Sequence, residues 1–158
     1  MPHRAGFRRA TPADATAVRA LTRAAYARWV PLIGREPKPM GADYDAALRD
    51  HVVELLVRDG ALVGLAEMIP QPDHLLLENV AVAPACQGQG LGRALMARVE
   101  AVAADLGHAE VRLYTNARFA ANIALYRRLG YRVTREEVVP AGTVVHMAKA
   151  LQPVPATR

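Results

Sequence analysis

The chain has 158 residues, 52% hydrophobic and 22% charged, which suits one domain with a real core and excludes a disordered or fibrous chain. Lys and Arg outnumber Asp and Glu by 20 to 15, a net charge of +5 that favours anionic partners. The arginines are scattered, however, with only short clusters such as Arg8-Arg9 and Arg127-Arg128, so the charge reads as a solvated face and not as a nucleic-acid site. One cysteine, Cys86, excludes an internal disulfide and a cysteine-based zinc site. No apolar run reaches the roughly 18 residues of a membrane span, and Met1-Pro2-His3-Arg4 lacks a signal-peptide apolar region. A cytoplasmic protein without membrane, nucleic-acid or metal partners is the expectation.

In chain order, Gly6 to Ala10 is a short strand candidate. Thr11-Pro12-Ala13-Asp14 then supplies an N-cap hydroxyl, a proline at the first helical position and an acid behind it. That helix is predicted to run to about Trp29, with Ala15, Val18, Leu21, Thr22 and Ala25 inside; Tyr26 and Trp29 close the stripe, as core or as the wall of a substrate pocket. Val30 to Met40, with Pro31, Gly34, Pro37 and Pro39, reads as a loop of about a dozen residues, longer than compact domains keep without a function. Asp43 to about Asp50 reads as a short second helix. Val53 to Val57 and Ala61 to Ile69 alternate as two strands joined by the hairpin signal Asp59-Gly60.

Gln71-Pro72-Asp73-His74 leads into a buried strand, Leu75 to Val82, stopped by Pro84. Gly88, Gly90 and Gly92 carry the chain through a tight turn. From Leu91 the apolar residues recur at helical spacing as Leu95, Val99, Val102 and Leu106, with Gly107 at the C-cap. Val111 to Thr115 is another strand, Arg118 to Leu129 a helix ended by Gly130, and Tyr131 to Val139 with Thr143 to Ala150 a hairpin around Pro140-Ala141-Gly142. The order β-α-α-β-β-β-α-β-α-β-β predicts an α/β (α+β) fold with a mixed, twisted sheet of about seven strands and flanking helices. One right-handed parallel crossover surrounds the glycine loop, and antiparallel hairpins make up the rest.

Strand, glycine loop and helix N-terminus together make a place for an anion. A Walker loop fails because no lysine follows the glycines, and the dinucleotide fingerprint fails because Arg93 stands where its third glycine belongs. Gln87-Gly88-Gln89-Gly90-Leu91-Gly92 instead resembles the Q/R-x-x-G-x-G/A pyrophosphate loop of the GNAT superfamily, the acetyl-coenzyme-A-dependent N-acetyltransferases. The preceding Asn79-Val80-Ala81-Val82-Ala83-Pro84 resembles that family's central strand. Asn122-Ile123-Ala124-Leu125-Tyr126-Arg127-Arg128-Leu129-Gly130-Tyr131 is close to its N-x-x-x-L-Y-x-x-x-G-F/Y signature. The element order matches the family's core from Phe7 to Leu151.

The resemblance implies one N-acetyltransferase domain over residues 1–151, a flexible tail over 152–158, acetyl-CoA as co-substrate without a metal, and a small-molecule or peptide amine as acceptor; a homodimer stays open. It places the thioester against the backbone of Val80, Ala81 and Val82, and the pyrophosphate on the stretch Gln87, Gly88, Gln89, Gly90, Leu91, Gly92 and Arg93. Tyr126 matches the general acid that protonates the thiolate. Its plain alternative is a core tyrosine on the stripe Phe119, Asn122, Tyr126, Leu129. One departure is Phe119, seven residues before Tyr126, where many members carry asparagine; Asn122 stays on the same helical face and would bond the pantetheine, with Asn116 a weaker substitute. For the base, alternation puts Glu78 on the face of Val80 and Val82, beside the acceptor. Glu67 is its rival, and pairing with an arginine is the structural alternative. The family builds much of its acceptor site between the first helix and second strand, which gives residues 30–40 the choice of substrate. A non-catalytic acyl-CoA sensor on the same fold is the alternative function, against which Tyr126 and Glu78 speak, since a sensor needs neither. Cys86 reads as a bystander, because a nucleophile would need a histidine partner.

Overall fold

In the computed structural model, which describes residues 4–153, the chain runs β1 (Ala5–Arg9), α1 (Ala15–Tyr26), α2 (Val30–Ile33), α3 (Tyr44–Asp50), β2 (Val52–Arg58), β3 (Ala61–Pro70), β4 (Leu75–Val82), α4 (Leu91–Asp105), β5 (Glu110–Asn116), α5 (Ala120–Arg128), β6 (Arg132–Val139) and β7 (Gly142–Ala150). Met1, Pro2 and His3, and residues 154–158 of the tail expected over 152–158, lie outside the described residues. Among the described residues all seven strands join one sheet in the order β1-β2-β3-β4-β5-β7-β6, and only β4 and β5 pair in parallel. Helices cover both faces. Val18, Leu21, Tyr44, Leu48, Leu55 and Leu65 pack on the α1–α3 side, and Leu75, Leu77, Leu95, Val99, Tyr126 and Met147 on the α4–α5 side. Each such apolar side chain contributes about 1.5–3 kcal/mol on burial.

Local chemistry accounts for the element ends. Asp14 accepts from the Thr11 N–H at 2.8 Å and pairs with Arg8 at 2.9 Å, starting a 3₁₀ turn (Pro12–Asp14) ahead of α1. The five inward residues expected in α1 are the five that are buried there. The helix proper ends at Tyr26 and tightens into a 3₁₀ turn, Ala27–Trp29. Residues 30–40 are not the plain loop their prolines suggest. Pro31 sits in the first turn of α2, where no N–H is required, Gly34 closes that turn at φ 74°, and Lys38–Gly41 form another 3₁₀ turn. Asp59 and Gly60 both take positive φ, 52° and 81°, as a two-residue hairpin demands. Helix α4 ends in a Schellman motif, with His108 N–H bonding Ala103 O at 2.9 Å and Gly107 N–H bonding Ala104 O at 3.0 Å. Leu106, the last member of the expected stripe, is 49% exposed because it is the capping residue; Met96 and Ala103 are buried in the stripe instead.

The feature that positions the site is a fork. β4 and β5 share only three rungs, Leu75↔Val111, Leu76↔Arg112 and Leu77↔Leu113. Beyond them β4 stays with β3 as far as Val82↔Gly64, and β5 stays with β7 as far as Asn116↔Val144. A bulge marks the parting: Glu67 opposes Asn79 and Met68 opposes Leu77, so Glu78 is the extra residue.

Candidate functional site

Past the fork, β4 loses its β5 neighbour, and the alternate N–H groups that would have bonded it are released into the gap. The chain then makes a 3₁₀ turn (Pro84–Cys86) and passes through Gly88 and Gly90 at φ 78° and 82°, with open space where a Cβ would be. Gly90 is the N-cap of α4 and offers no side chain to its first N–H groups. Gln87 fixes this loop: its Nε2 donates to Val82 O at 3.2 Å, and its Oε1 accepts from Arg28 Nη1 at 2.9 Å. The cavity here measures about 430 Å³; among the described residues its charged lining is Arg28, Arg93 and Arg128, with no carboxylate. Free amides, a helix N-terminus and three guanidiniums fit the pyrophosphate of coenzyme A.

Val80, Ala81, Val82, Gln87, Gly88, Gly90, Leu91, Gly92, Arg93 and Asn122 all line this cavity. Gln89 does not; its Oε1 accepts from Arg58 Nη1 at 2.6 Å. Arg58 also donates to Cys86 Sγ at 3.3 Å, and no histidine hydrogen bond reaches that thiol among the described residues.

A second cavity, of about 300 Å³, opens on the other side of the gap and is walled partly by the 30–40 segment. Tyr26, Val80, Asn122 and Tyr126 line both cavities. Tyr126 is 6% exposed, and burial pushes its phenol up to about 12, so the hydroxyl keeps its proton at neutral pH. Its place is set by the end of α5. Gly130 turns at φ 96°, Tyr131 N–H bonds Tyr126 O at 3.0 Å, and the two rings meet edge-on at 6.1 Å. Tyr26 donates to Val80 O at 3.3 Å, and burial raises its pKa as well.

Glu78 also lines this second cavity, but not for the reason alternation gives. Leu75, Leu77, Val80 and Val82 all pack toward one apolar cluster, so the strand changes parity at the bulge and period-2 spacing does not carry Glu78 onto the face of Val80 and Val82. Glu78 accepts from Tyr114 OH at 2.7 Å and lies 3.4 Å from Lys38 Nζ. Burial and that bond push the Tyr114 phenol up to about 12, which keeps it a donor. Glu67 is 4% exposed, its carboxyl raised by burial, and bonded to His51 Nδ1 at 2.6 Å. It lines a neighbouring cavity with Glu78 and Asn79, not the one that reaches Tyr126. Buried Asn79 donates to Thr22 Oγ1 at 3.2 Å and to Tyr44 OH at 3.3 Å; Tyr44 in turn donates to Pro39 O at 2.5 Å, tying the 30–40 segment to the sheet.

Phe119 stacks on Trp29 with centroids 4.5 Å apart, locking the end of α1 to the start of α5. Asn116 is spent on the Arg118 N–H at 2.9 Å. Lys38, Tyr114 and Arg28 escaped the sequence reading, since none belongs to a motif and each acts across the fold. Among the described residues no group of three His, Cys, Asp or Glu side chains is placed to hold a metal ion. Among the same residues no helix is long and apolar enough to cross a membrane.

The family model for the acetyltransferase (GNAT) family matches residues 18–131. Mycothiol acetyltransferase of Nocardia farcinica is 41% identical over 83 residues, 52% of this chain but only 26% of that protein, so the chain meets about a quarter of that relative's length. The ribosomal-protein-S18-alanine N-acetyltransferase of Escherichia coli superposes with a TM-score of 0.78 at 23% identity, covering 96% of each chain. yncA of Salmonella typhimurium, solved with its cofactor acetyl-CoA, superposes with a TM-score of 0.73 at 22% identity, covering 98% of each chain. At these identities the two superpositions show a shared fold.

Proposed function

This chain belongs to the acetyltransferase (GNAT) family, and we propose that it transfers the acetyl group of acetyl-CoA to a primary amine of a small molecule or peptide, by direct attack with both substrates bound. The observation that carries this reading is the meeting of two cavities at Val80 and Tyr126, one whose charged lining among the described residues is arginine and the other holding Glu78. Residues 1–151 act as the catalytic domain. Acetyl-CoA, when bound, supplies an activated acetyl thioester. The α4 N-terminus and its arginines hold phosphates, and the freed N–H groups of β4 face the carbonyl oxygen that gains charge. Glu78, fixed by Tyr114, takes the proton of the incoming ammonium. Tyr126, kept protonated by burial, delivers a proton to the departing sulfur. A coenzyme A release assay against a panel of primary amines tests this, with acetylated amine identified by mass. Tight acetyl-CoA binding with no turnover across the panel would replace it with a non-catalytic sensor.

A further inference from the structure

We infer that Lys38 is an acetyl acceptor within its own chain, its ε-amine seated on Glu78 in the cavity that reaches Tyr126. This rests on the acetyltransferase reading above. Of the 20 Lys and Arg residues only two, Lys38 and Lys149, are lysines. A guanidinium stays protonated and is no nucleophile, whereas a primary amine becomes one on losing a proton. The two lysines are placed differently. Lys149 bonds Glu100 Oε1 at 2.7 Å and lines none of the three cavities. Lys38 lies between Pro37 and Pro39, whose fixed φ angles stiffen its base, and the Pro39 carbonyl is held by Tyr44. Its Nζ is 3.2 Å from Tyr114 OH and 3.4 Å from Glu78 Oε1, yet the side chain is 73% exposed. Only the head is docked, which leaves a flexible stem to swing it along the cavity. An alkylammonium resting on the base is what any acceptor amine must present, and here the chain supplies one itself.

The step balances. Glu78 takes one proton from the Lys38 ammonium, and the nitrogen lone pair forms a bond to the acetyl carbon of acetyl-CoA. The carbon–sulfur bond breaks with its electron pair on sulfur, which Tyr126 protonates. A second nitrogen proton restores Tyr126, so Nε-acetyl-Lys38, coenzyme A and one released proton are the products. At rest, chiefly the contact with Tyr114 and to a smaller extent Glu78 hold Lys38 above the ordinary lysine pKa, which slows the reaction. It ends after one acetyl because the amide nitrogen formed is no longer a nucleophile. Acetylation removes the cation from Glu78.

The test is peptide mass mapping after incubation of the full chain with acetyl-CoA and no amine. Lys38 should gain one acetyl about tenfold or more faster than Lys149, as expected for a held nucleophile, with a rate constant independent of protein concentration. Lys38→Arg should abolish the label, and Glu78→Gln and Tyr126→Phe should slow it. Equal labelling of both lysines, label indifferent to those two changes, or a rate constant rising with concentration would overturn the inference. Acetylation of added amines with Lys38 unlabelled overturns it while the acetyltransferase reading stands; no transfer to any amine overturns both.

Discussion

Along the cofactor side of the fork the walls are mainly backbone: two left-handed glycines, a helix N-terminus and the released edge of β4, with arginines around them. Along the acceptor side they are side chains drawn from distant elements, with Lys38, Glu78 and Tyr114 meeting across the gap. A wall of backbone is specified by torsion angles and tolerates many changes of side chain. A wall of side chains can be rebuilt one residue at a time without touching the sheet. The difference teaches that one half of the site can stay constant in chemistry while the other can be rebuilt for a different ligand.

Tyr126, common to both halves, gives the sharpest division. Tyr126→Phe removes the proton donor at constant ring volume, so kcat should fall about 10²–10⁴-fold with acetyl-CoA affinity kept, measured by steady-state kinetics and direct titration. Because the phenol is pushed up to about 12, the acid form persists as pH rises, and the ratio of native to variant kcat should hold flat to alkaline pH and shrink only as pH nears that value. A turnover within about threefold of native, with chemistry rate-limiting, would mean that Tyr126 only packs. Glu78→Gln should cost about 10²-fold in kcat and leave coenzyme A affinity alone, confining the damage to the acceptor half. A matched loss of cofactor binding would erase the division between the halves.

The backbone half is probed by two glycines. Gly90→Ala forces a left-handed residue to carry a Cβ, at about 1–2 kcal/mol, and should weaken coenzyme A binding by about 5–30-fold. Gly92→Ala brings its Cβ to 3.6 Å from Leu125 Cδ2, an ordinary contact at ordinary φ, and should change binding by less than about twofold. Isothermal titration of both variants checks this; equal losses would show that side-chain bulk and not torsion governs the loop. The smallest effect is expected from Phe119→Leu, which loses the stack on Trp29, about 0.5–1.5 kcal/mol. Tm should drop by a few degrees and the acceptor KM should rise, by thermal melting and steady-state kinetics.

The same contrast explains what could be read from sequence. Gly88, Gly90 and the helix behind them are a local pattern, and so are the Schellman glycines 107 and 130, so these positions announce themselves within a few residues. Tyr114 and Glu78 lie 36 positions apart, and their contact exists only because β4 and β5 part where they do. Nothing in Leu-Leu-Leu-Glu-Asn-Val marks the bulge, and one extra residue reverses every later inference about which face a side chain takes. The segment over 30–40 misled for another reason: proline ends helices but also opens them, and Pro31 does the second. Phe119 looked like a lost asparagine until its partner, Trp29, stood beside it.

Where β4 and β5 part, two strand edges face each other inside the sheet instead of at its rim. The rim strands are guarded by charge, Arg8 and Arg9 on β1 and Arg132, Arg135, Glu136 and Glu137 on β6, which discourages another chain from adding a strand. The inner edges carry Val80, Val82, Tyr114 and Thr115, good strand formers with Glu78 as the one charge among them. A ligand lying along them does for the interior what charge does for the rim. If coenzyme A lies there as proposed, its removal should shorten the time the chain stays monodisperse in storage, which light scattering with and without coenzyme A checks.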